Sequence, residues 1–310
     1  MSKKALIFGV GGQDGHYLSK LLLGKGCEVA GCGVRPAKAP DGGLEYHVCD
    51  ITDAAQVESL VSKVAPDEAY NLAGISSPSL NERDLALSYA VNAQGAKNVI
   101  AALQKHAPSC RFFQSSTAYI FAPSSSPHGE KDLLGPTGAY GKSKLEAHLA
   151  TTNARKSGLY AANGILFNHE SPLRPVGFVT RKITAAAAEF RLGKRIAPLE
   201  LGNVNAVRDW GFAGDYVKAM WLMLQQNEPK DYVIATGAGH TVLDFCNVAF
   251  SHVGLDYKAH TTIQQSLMRK NEVDVLVGDP SSIRRDLKWS ANTTFAELVA
   301  MMVDADLKEG

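Results

Sequence analysis

Short apolar runs alternate with amphipathic stretches along the first half of the chain. This is the pattern of parallel strands joined by helical crossovers. The strand-like runs fall at, or end on, residues 4–8, 27–34, 46–53, 71–74, 113–117 and 164–167. The alternation predicts an α/β fold with a Rossmann-type, doubly wound parallel sheet over residues 1–167.

The pattern changes after Phe167. A polar stretch with helix breakers comes first, and helical patterns dominate from there on. They cover residues 179–192, 215–225, 241–253 and 294–307, whereas residues 201–210 fit no simple amphipathic element. We therefore expect residues 168–310 to form a smaller, mainly helical lobe that covers a substrate, with some segments returning to the first domain.

Three glycines stand at regular spacing between the first strand and the first helical pattern. Gly9, Gly12 and Gly15 occupy the strand–turn–helix context that a dinucleotide-binding turn requires. Glycine permits the tight turn and lets a pyrophosphate approach the helix N-terminus. The pattern predicts a dinucleotide cofactor.

The ends of the following strands carry residues suited to the rest of that cofactor. Arg35 stands at the end of the second strand, where an acid would favour NAD. A guanidinium suits the 2′-phosphate of NADP, so NADP is favoured; the alternative is a solvated surface arginine. Asp50 is placed to accept from the adenine amino group, with Ile51 beside the ring. Leu72, Ala73 and Gly74 follow the fourth strand, where the cofactor must lie close.

Tyr140 and Lys144 follow the strand that ends at Thr117. At this spacing both side chains lie on one face of a helix. The ammonium is expected to lower the pKa of the phenol, and a hydroxyl from Ser116 or Thr117 would hold the substrate oxygen. These groups suit oxidation of a secondary alcohol, or reduction of a ketone, against a nicotinamide. A half-buried helix face is the alternative for the pair alone, and the glycine turn argues against it.

Composition narrows the function classes. The chain has 310 residues, of which 45% are hydrophobic, so it can bury a large core. A net charge of +1 gives no electrostatic case for nucleic acid or a membrane surface, and no run approaches the roughly 20 apolar residues of a membrane span. The five cysteines are scattered, the nine histidines form no metal-ligand cluster, and no signal-peptide pattern precedes the first strand. We expect a cytoplasmic enzyme with reduced cysteines and no metal.

Longer motifs make the chain resemble the extended short-chain dehydrogenase/reductases and, more narrowly, the GDP-mannose 4,6-dehydratase family. The similar stretches are residues 9–15, 164–172, 178–182, 201–203, 208–211, 219–224 and 272–274. The resemblance runs from residue 4 to about residue 307. It implies NADP as cofactor and a GDP-hexose as substrate.

The resemblance also implies roles for individual positions. Thr117, Tyr140 and Lys144 match the catalytic set, and Gln13, Asp14, His169 and Arg174 match cofactor positions. The GDP-sugar positions are Ser76, Asn168, Val179, Lys182, Gly202, Arg208, Arg269 and Glu272. Lys182 and Arg208 suit a diphosphate, since cations with fixed donors match phosphate oxygens. Glu272 can accept from a guanine edge.

One position departs from the family pattern. The family's dehydratases have a glutamate two residues after the catalytic threonine, and it moves protons at C5 and C6 of the sugar. Here that position holds Tyr119. A phenol with an ordinary pKa of about 10 is a poor base at neutral pH, so the loss of water across C5 and C6 is left without its usual acid/base group. We keep Tyr119 among the catalytic candidates.

Three hypotheses follow. The whole-chain resemblance favours a GDP-mannose 4,6-dehydratase. The run around Tyr119 resembles nucleotide-sugar 4-keto reductases, which need no elimination, and favours a GDP-4-keto-6-deoxy-hexose reductase, or another C4 redox enzyme, using NADPH. A third hypothesis is a catalytically weakened homologue with a binding or regulatory role, against which the retained Thr117, Tyr140 and Lys144 argue. The segment after Arg35 is shorter than the family loop that helps to build a tetramer, so a homodimer is expected rather than a tetramer.

Overall fold

The computed structural model describes residues 2–36, 43–76, 84–268 and 273–309. Its strands are β1 (Lys4–Phe8), β2 (Glu28–Gly33), β3 (Leu44–Val48), β4 (Glu68–Asn71), β5 (Arg111–Thr117), β6 (Ala161–Leu166), β7 (Asn168–Glu170), β8 (Leu199–Leu201), β9 (Val207–Phe212), β10 (Tyr232–Ile234), β11 (Gly239–Thr241), β12 (Thr261–Ile263) and β13 (Val275–Leu276). Its helices are α1 (Gln13–Gly24), α2 (Ala54–Val64), α3 (Leu85–Tyr89), α4 (Gly95–His106), α5 (Ala139–Lys156), α6 (Val179–Arg191), α7 (Ala213–Met223), α8 (Val242–His252), α9 (Ser281–Leu287) and α10 (Phe295–Glu309).

Seven parallel strands form the main sheet, in the order β10-β6-β5-β4-β1-β2-β3. Alternate residues of β1 enter two different cores: Ile7 packs into one, and Leu6 and Phe8 pack into the other. Strands buried on both faces read as continuous apolar runs, which is the sequence pattern that predicted them. The prediction of a doubly wound α/β sheet is confirmed. The strand order reverses between β1 and β4, and ligands bind at such a point in open α/β sheets.

The smaller lobe combines helices with short strands. Strand β9 pairs with β7, β11 and β13, and β8 pairs with β12. Helices α6, α8 and α10 enclose an apolar core that contains Trp210, Phe245 and Met302. Residues 201–210, which fitted no amphipathic pattern, contain the end of β8 and most of β9. Their side chains are buried too irregularly for helical periodicity to detect them.

The chain leaves the main sheet after β6 and returns to it later as β10. Tyr232 is in register with Gly164, and Ile234 with Leu166. Helix α7 also packs against α1, where Tyr17 meets Phe212 edge to face with ring centroids 5.2 Å apart. The second half of the chain therefore completes the edge of the sheet and covers one of its faces.

The five cysteines are free thiols. Four of them are buried, and only Cys27 is half-buried. Among the residues described, no helix has both the length and the apolar surface to cross a membrane.

Candidate active site

Two glycines at the turn between β1 and α1 leave no room for a side chain. Gly9 has a φ of +81°, and a Cβ placed on it would lie 2.7 Å from the backbone nitrogen of Ala73. A Cβ on Gly15 would lie 2.4 Å from the carbonyl oxygen of Val10. Gly12 is the N-cap of α1, and no side chain caps this helix. The first-turn N–H groups therefore have no side-chain cap, and the pyrophosphate site at this helix N-terminus stays a prediction.

The other predicted cofactor residues follow the carboxyl ends of neighbouring strands. Asp50 lies two residues beyond β3, and its Oδ1 accepts from the backbone N–H and the hydroxyl of Thr52 at 2.9 and 2.8 Å. Ile51 is buried beside it, and the Arg35 side chain is exposed beyond β2. Beyond β4, Leu72 and Ala73 are half-buried and Gly74 is exposed. These positions line one edge of the sheet because parallel strands all end there.

The helix α5 carries Tyr140 in its first turn and Lys144 one turn later. The Lys144 side chain is buried, and its Nζ donates to the hydroxyl of Ser115 at 3.3 Å. Burial disfavours the charged ammonium and lowers the pKa of Lys144 to about 8, although Asp14 acts in the opposite direction. A buried lysine with this pKa changes charge close to neutral pH.

The pKa of Tyr140 runs opposite to the sequence-based expectation. Burial raises the pKa of this phenol, and a hydrogen bond with Thr117 only partly offsets the burial. The lowered pKa that the Tyr140–Lys144 spacing predicted is therefore not found, since the net direction is upward. The physical reasons are that Lys144 points at Ser115 and that both groups are desolvated.

Only one of the two candidate hydroxyls on β5 faces Tyr140. Side chains alternate along a strand, so Ser116 points away from Ser115 and Thr117. The Ser116 hydroxyl meets Nδ1 of His148 at 3.1 Å instead. The alternative that Ser116 holds the substrate oxygen is therefore wrong, and Thr117 is the hydroxyl beside Tyr140.

Tyr119 lies directly at this cluster. It belongs to a single helical turn, Ala118–Ile120, that follows β5, and its N–H donates to Oγ1 of Thr117 at 3.4 Å. Its ring meets the Tyr140 ring edge to face, with centroids 5.9 Å apart. A Cβ on Gly141 would lie 2.3 Å from the Tyr119 carbonyl oxygen, so the turn and α5 are in close contact. The position that the resemblance gives to an acid/base group therefore holds a half-buried phenol.

Helix α1 is connected to the residues that follow β6. Nε2 of Gln13 donates to the backbone carbonyl of His169 at 3.1 Å, and Nε2 of His169 lies 2.9 Å from Oδ2 of Asp14. Arg174 pairs with the buried Glu170 at 3.0 Å and covers the Phe178 ring. Gln13 and Asp14, predicted cofactor residues of the first half of the chain, therefore contact His169, a predicted cofactor residue of the second half.

The predicted substrate positions are spread around the lobe. Arg208 is buried on β9, and its Nη1 donates to the backbone carbonyls of Val207 and Asp274 at 2.8 and 3.3 Å. Lys182 is exposed in the first turn of α6. Ser76 and Val179 are exposed, and Asn168 and Gly202 are half-buried. Arg269 and Glu272 lie outside the described residues.

One positioning residue was not predicted. Asn92 lies in a π-helical segment, Ala90–Gln94, between α3 and α4. Its Oδ1 accepts from the N–H of Ile75 at 2.8 Å, and its Nδ2 donates to the hydroxyl of Ser143 at 3.1 Å. Asn92 thus joins the loop after β4 to the catalytic helix. Single π-turns occur often at functional sites, but no pattern in the sequence announces this one.

Comparison with known proteins places the chain in a family. The family model described as GDP-mannose 4,6 dehydratase matches residues 6–302. The chain is 42% identical to GDP-mannose 4,6 dehydratase 2 of Arabidopsis thaliana over 99% of this chain and 87% of that protein. It is 36% identical to GDP-mannose 4,6 dehydratase of Homo sapiens, covering 98% and 91% of the two chains.

Solved structures confirm the fold. RMD from Pseudomonas aeruginosa complexed with NADPH has a TM-score of 0.84 and 18% identity, with both chains fully covered. A dTDP-glucose 4,6-dehydratase from Bacillus anthracis in complex with NAD has a TM-score of 0.87 and 16% identity, covering 99% of this chain and 97% of that one. With the site geometry and the relatives together, the chain is an enzyme of the extended short-chain dehydrogenase/reductase type and belongs to the GDP-mannose 4,6-dehydratase family.

Proposed function

We propose that the protein transfers a hydride at C4 of a hexose carried on GDP, with NADP as the cofactor. The observation that carries this proposal is the cluster of Thr117, Tyr140 and Lys144 at the end of β5, next to the glycine turn of α1. The family and the relatives support the GDP-sugar, since they are GDP-mannose 4,6-dehydratases. The protein is proposed to be cytoplasmic.

The residues present fit NADP. The uncapped N-terminus of α1 and the glycine-only approach at Gly9 would hold the pyrophosphate, Asp50 and Ile51 would hold the adenine, and Arg35 would meet the 2′-phosphate. When bound, the cofactor accepts or returns the C4 hydride. An exposed guanidinium beyond β2, where NAD-binding folds place an acid, supports NADP over NAD.

The chain's own residues handle the proton and the substrate orientation. Tyr140 takes the proton of the C4 hydroxyl during oxidation and returns it during reduction, while Thr117 holds the same oxygen. Because burial raises the pKa of Tyr140, the phenol is the resting form: it can donate its proton to a ketone directly, whereas oxidation of the C4 hydroxyl requires the phenol to release that proton to solvent first. The proposed contacts to the GDP-sugar are Lys182, Arg208, Arg269, Glu272, Ser76, Asn168, Val179 and Gly202.

The identity of residue 119 bears on whether elimination can follow oxidation at C4. A 4,6-dehydration needs a group that removes the C5 proton and protonates the leaving C6 hydroxyl. Asp14, a carboxylate whose charge acts on Tyr140, is already paired with His169, and the neighbouring Glu170 is paired with Arg174. We therefore propose that C4 oxidation of GDP-mannose is retained and that the elimination is slow. The second candidate, favoured by Tyr119 itself, is reduction of a GDP-4-keto-6-deoxy-hexose.

One pair of incubations tests the function. In the first, protein with bound NADP receives GDP-mannose, and the 4-keto-6-deoxy sugar is measured by mass spectrometry. Formation of that product supports the dehydratase form of the proposal. In the second, the keto sugar and NADPH are supplied, and NADPH consumption supports the reductase form. If GDP-mannose produces no NADPH from bound NADP in the first incubation and no NADPH is consumed in the second, the proposal is overturned and the binding or regulatory homologue is left.

Two variants test the roles of Tyr140 and Tyr119 in these reactions. Tyr140→Phe should reduce hydride transfer about a hundred- to ten-thousandfold, because it removes the proton donor. Tyr119→Glu restores a carboxylate beside Tyr140, and a gain of 4-keto-6-deoxy product would show that position 119 limits the elimination. An unchanged product spectrum from Tyr119→Glu would contradict that assignment.

We also propose a homodimer. The groove between α4 and α5 is lined by Lys97, Ile100 and Leu149, and the Leu149 side chain is 46% exposed. Exposed apolar residues on neighbouring α3, Leu85, Leu87 and Tyr89, extend this surface. Light scattering on the purified protein tests it: a dimer is expected, with Leu149→Lys shifting it toward monomer, and a wild-type monomer or tetramer would contradict it.

A further inference from the structure

His169 lies between a backbone carbonyl and a carboxylate, both of which accept hydrogen bonds when Asp14 is ionised. Its Nδ1 lies 2.8 Å from the backbone carbonyl oxygen of Phe167, and its Nε2 lies 2.9 Å from Oδ2 of Asp14. A neutral imidazole has one donor nitrogen and one acceptor nitrogen, whereas an imidazolium donates from both. Two acceptor partners therefore require the doubly protonated ring. The geometry makes His169 a cation and Asp14 its counter-charge.

Both charges persist although the pair is largely shielded from solvent, with the His169 side chain 11% and the Asp14 side chain 19% exposed. Burial favours the neutral forms, raising the pKa of Asp14 and lowering that of His169, but the mutual attraction and hydrogen bonds outweigh it. The net result is a lowered pKa for Asp14 and a raised pKa for His169. The His169 ring also stacks on Tyr216, with centroids 4.8 Å apart and planes 24° apart. An aromatic face stabilises a neighbouring cation.

The pair belongs to a set of bonds between α1 and the segment that enters the lobe. Besides the Asp14–His169 contact, Nε2 of Gln13 donates to the His169 carbonyl at 3.1 Å. The hydroxyl of Ser171 donates to Oε1 of Gln13 at 2.8 Å. These contacts join the first turn of α1 to residues 169–171, which begin the smaller lobe.

Other charged groups face the pair from three elements. Arg174 and Glu170 come from β7 and the loop after it, Tyr140 and Lys144 come from α5, and Tyr216 comes from α7. Asp14 raises the pKa of Tyr140 and opposes the lowering at Lys144, while Arg174 lowers the pKa of Tyr140. The charge of Asp14 therefore reaches the two groups that handle the substrate proton.

We propose that Asp14 and His169 are positioning residues, a carboxylate–imidazolium pair that fastens the cofactor turn to the substrate lobe and balances the charge beside Tyr140. This inference rests on the proposed hydride transfer through Tyr140. Neither side chain has to touch the reacting sugar. The pair acts by fixing where the turn and the lobe meet and by setting the electrostatic environment of the phenol.

The first test needs no substrate. In protein labelled with ¹⁵N-histidine, the ring nitrogens of His169 should both be protonated at pH 7 in the wild type. In Asp14→Asn, one of them should lose its proton at a lower pH than in the wild type. The His148→Gln variant serves as the control and should leave the His169 signals in place. A neutral His169 in the wild type at pH 7 overturns the proposal, whether or not the protein acts on GDP-sugars.

The second test uses the pH profile of single-turnover hydride transfer. Asp14→Asn removes a negative charge near Tyr140, but His169 then loses its proton and its positive charge as well, so the apparent pKa of Tyr140 should change less than in His169→Gln. His169→Gln leaves Asp14 without its counter-charge, so the apparent pKa of Tyr140 should rise. If both variants only slow the reaction, with profiles that coincide with the wild type, the role is mechanical and the electrostatic part of the proposal is wrong.

Discussion

Two histidines, the buried His148 and the half-buried His169, each lie near an aspartate, and the structure favours a neutral ring in the first and a charged ring in the second. His169 has a carbonyl on one nitrogen and Asp14 on the other, and its pKa is raised. His148 has the Ser116 hydroxyl at 3.1 Å on Nδ1, and its Nε2 lies 3.9 Å from Asp231. Burial lowers the pKa of His148, and the more distant Asp231 does not compensate.

The difference shows that proximity to a carboxylate does not by itself charge a histidine. A hydroxyl can either donate or accept, so His148 can remain neutral between its partners, whereas His169 cannot. Asp231 is also already occupied by Arg155, which repels a proton on His148. One cluster therefore carries charges beside the reacting groups, and the other is a neutral support between β5 and α5.

The largest expected effect is a difference in the rate of hydride transfer between variants of two β5 residues, Thr117 beside Tyr140 and Ser116 beside His148. Thr117→Val removes the donor to the substrate oxygen and should lower the rate of hydride transfer about a hundredfold, as for loss of one positioned donor. Ser116→Ala removes only the contact with His148 and should cost about 1 kcal/mol of stability. Single-turnover kinetics and urea unfolding on both variants measure this. Equal rate losses would mean that the two faces of β5 are not distinct.

Substitutions in the cluster of His148, Arg155 and Asp231 should act mainly on the free energy of unfolding. Asp231 accepts from both terminal nitrogens of Arg155, at 2.6 and 2.9 Å, and from the N–H of Asn163 at 2.7 Å. Asp231→Ala leaves Arg155 without its partner and should lower the free energy of unfolding by about 3 kcal/mol. Asp286→Ala, which breaks exposed pairs with Lys230 and Arg285, is the matched control and should matter far less. A similar loss from both variants would contradict a special role for the buried pair.

A smaller effect should appear in cofactor binding. Lys144 has a pKa of about 8, so it loses its charge as the pH rises from 7 to 9. If the protonated form binds the anionic cofactor, the Kd for NADP should rise about tenfold over this range. Lys144→Arg keeps its charge and should flatten the profile. Isothermal titration calorimetry at three pH values measures this Kd. A wild-type Kd that does not change with pH would contradict the link between Lys144 protonation and NADP binding.

The smallest effect concerns the slope of stability against pH. The folded-state pKa of His148 is lowered from its ordinary 6.5, so its contribution to stability is lost as the pH falls below that value. The folded-state pKa of His169 is raised, so its contribution is complete below 6.5 and is lost as the pH rises through the folded-state value.

Urea unfolding from pH 5 to pH 9 measures both slopes. His148→Gln should improve relative stability at the acid end, and the deficit of His169→Gln should be greatest at the acid end and shrink toward alkaline pH. Each change should be about 1 kcal/mol or less. Slopes of the same sign in the two variants would show that the charge states are not opposite.

Local patterns were enough to predict much of the fold and part of the site. The continuous apolar runs predicted strands of the central sheet, and the glycine spacing predicted the turn that only Gly9 and Gly15 permit. The Tyr140–Lys144 spacing predicted one helix face. The short strands of the lobe escaped because no two-residue alternation marks them, and the Asn92 bond to Ile75 escaped because it depends on a π-turn.

The sequence by itself determined which chemical groups are present and their order along the chain. It placed a phenol, Tyr119, where the family carries a carboxylate, and no folding changes that. Only the tertiary structure decided which hydroxyl faces Tyr140, where the Lys144 ammonium points, and that His169 is charged while His148 is not. The physical reason is that burial and hydrogen-bond partners, brought together from distant parts of the chain, set orientation and protonation, and these do not follow from local spacing.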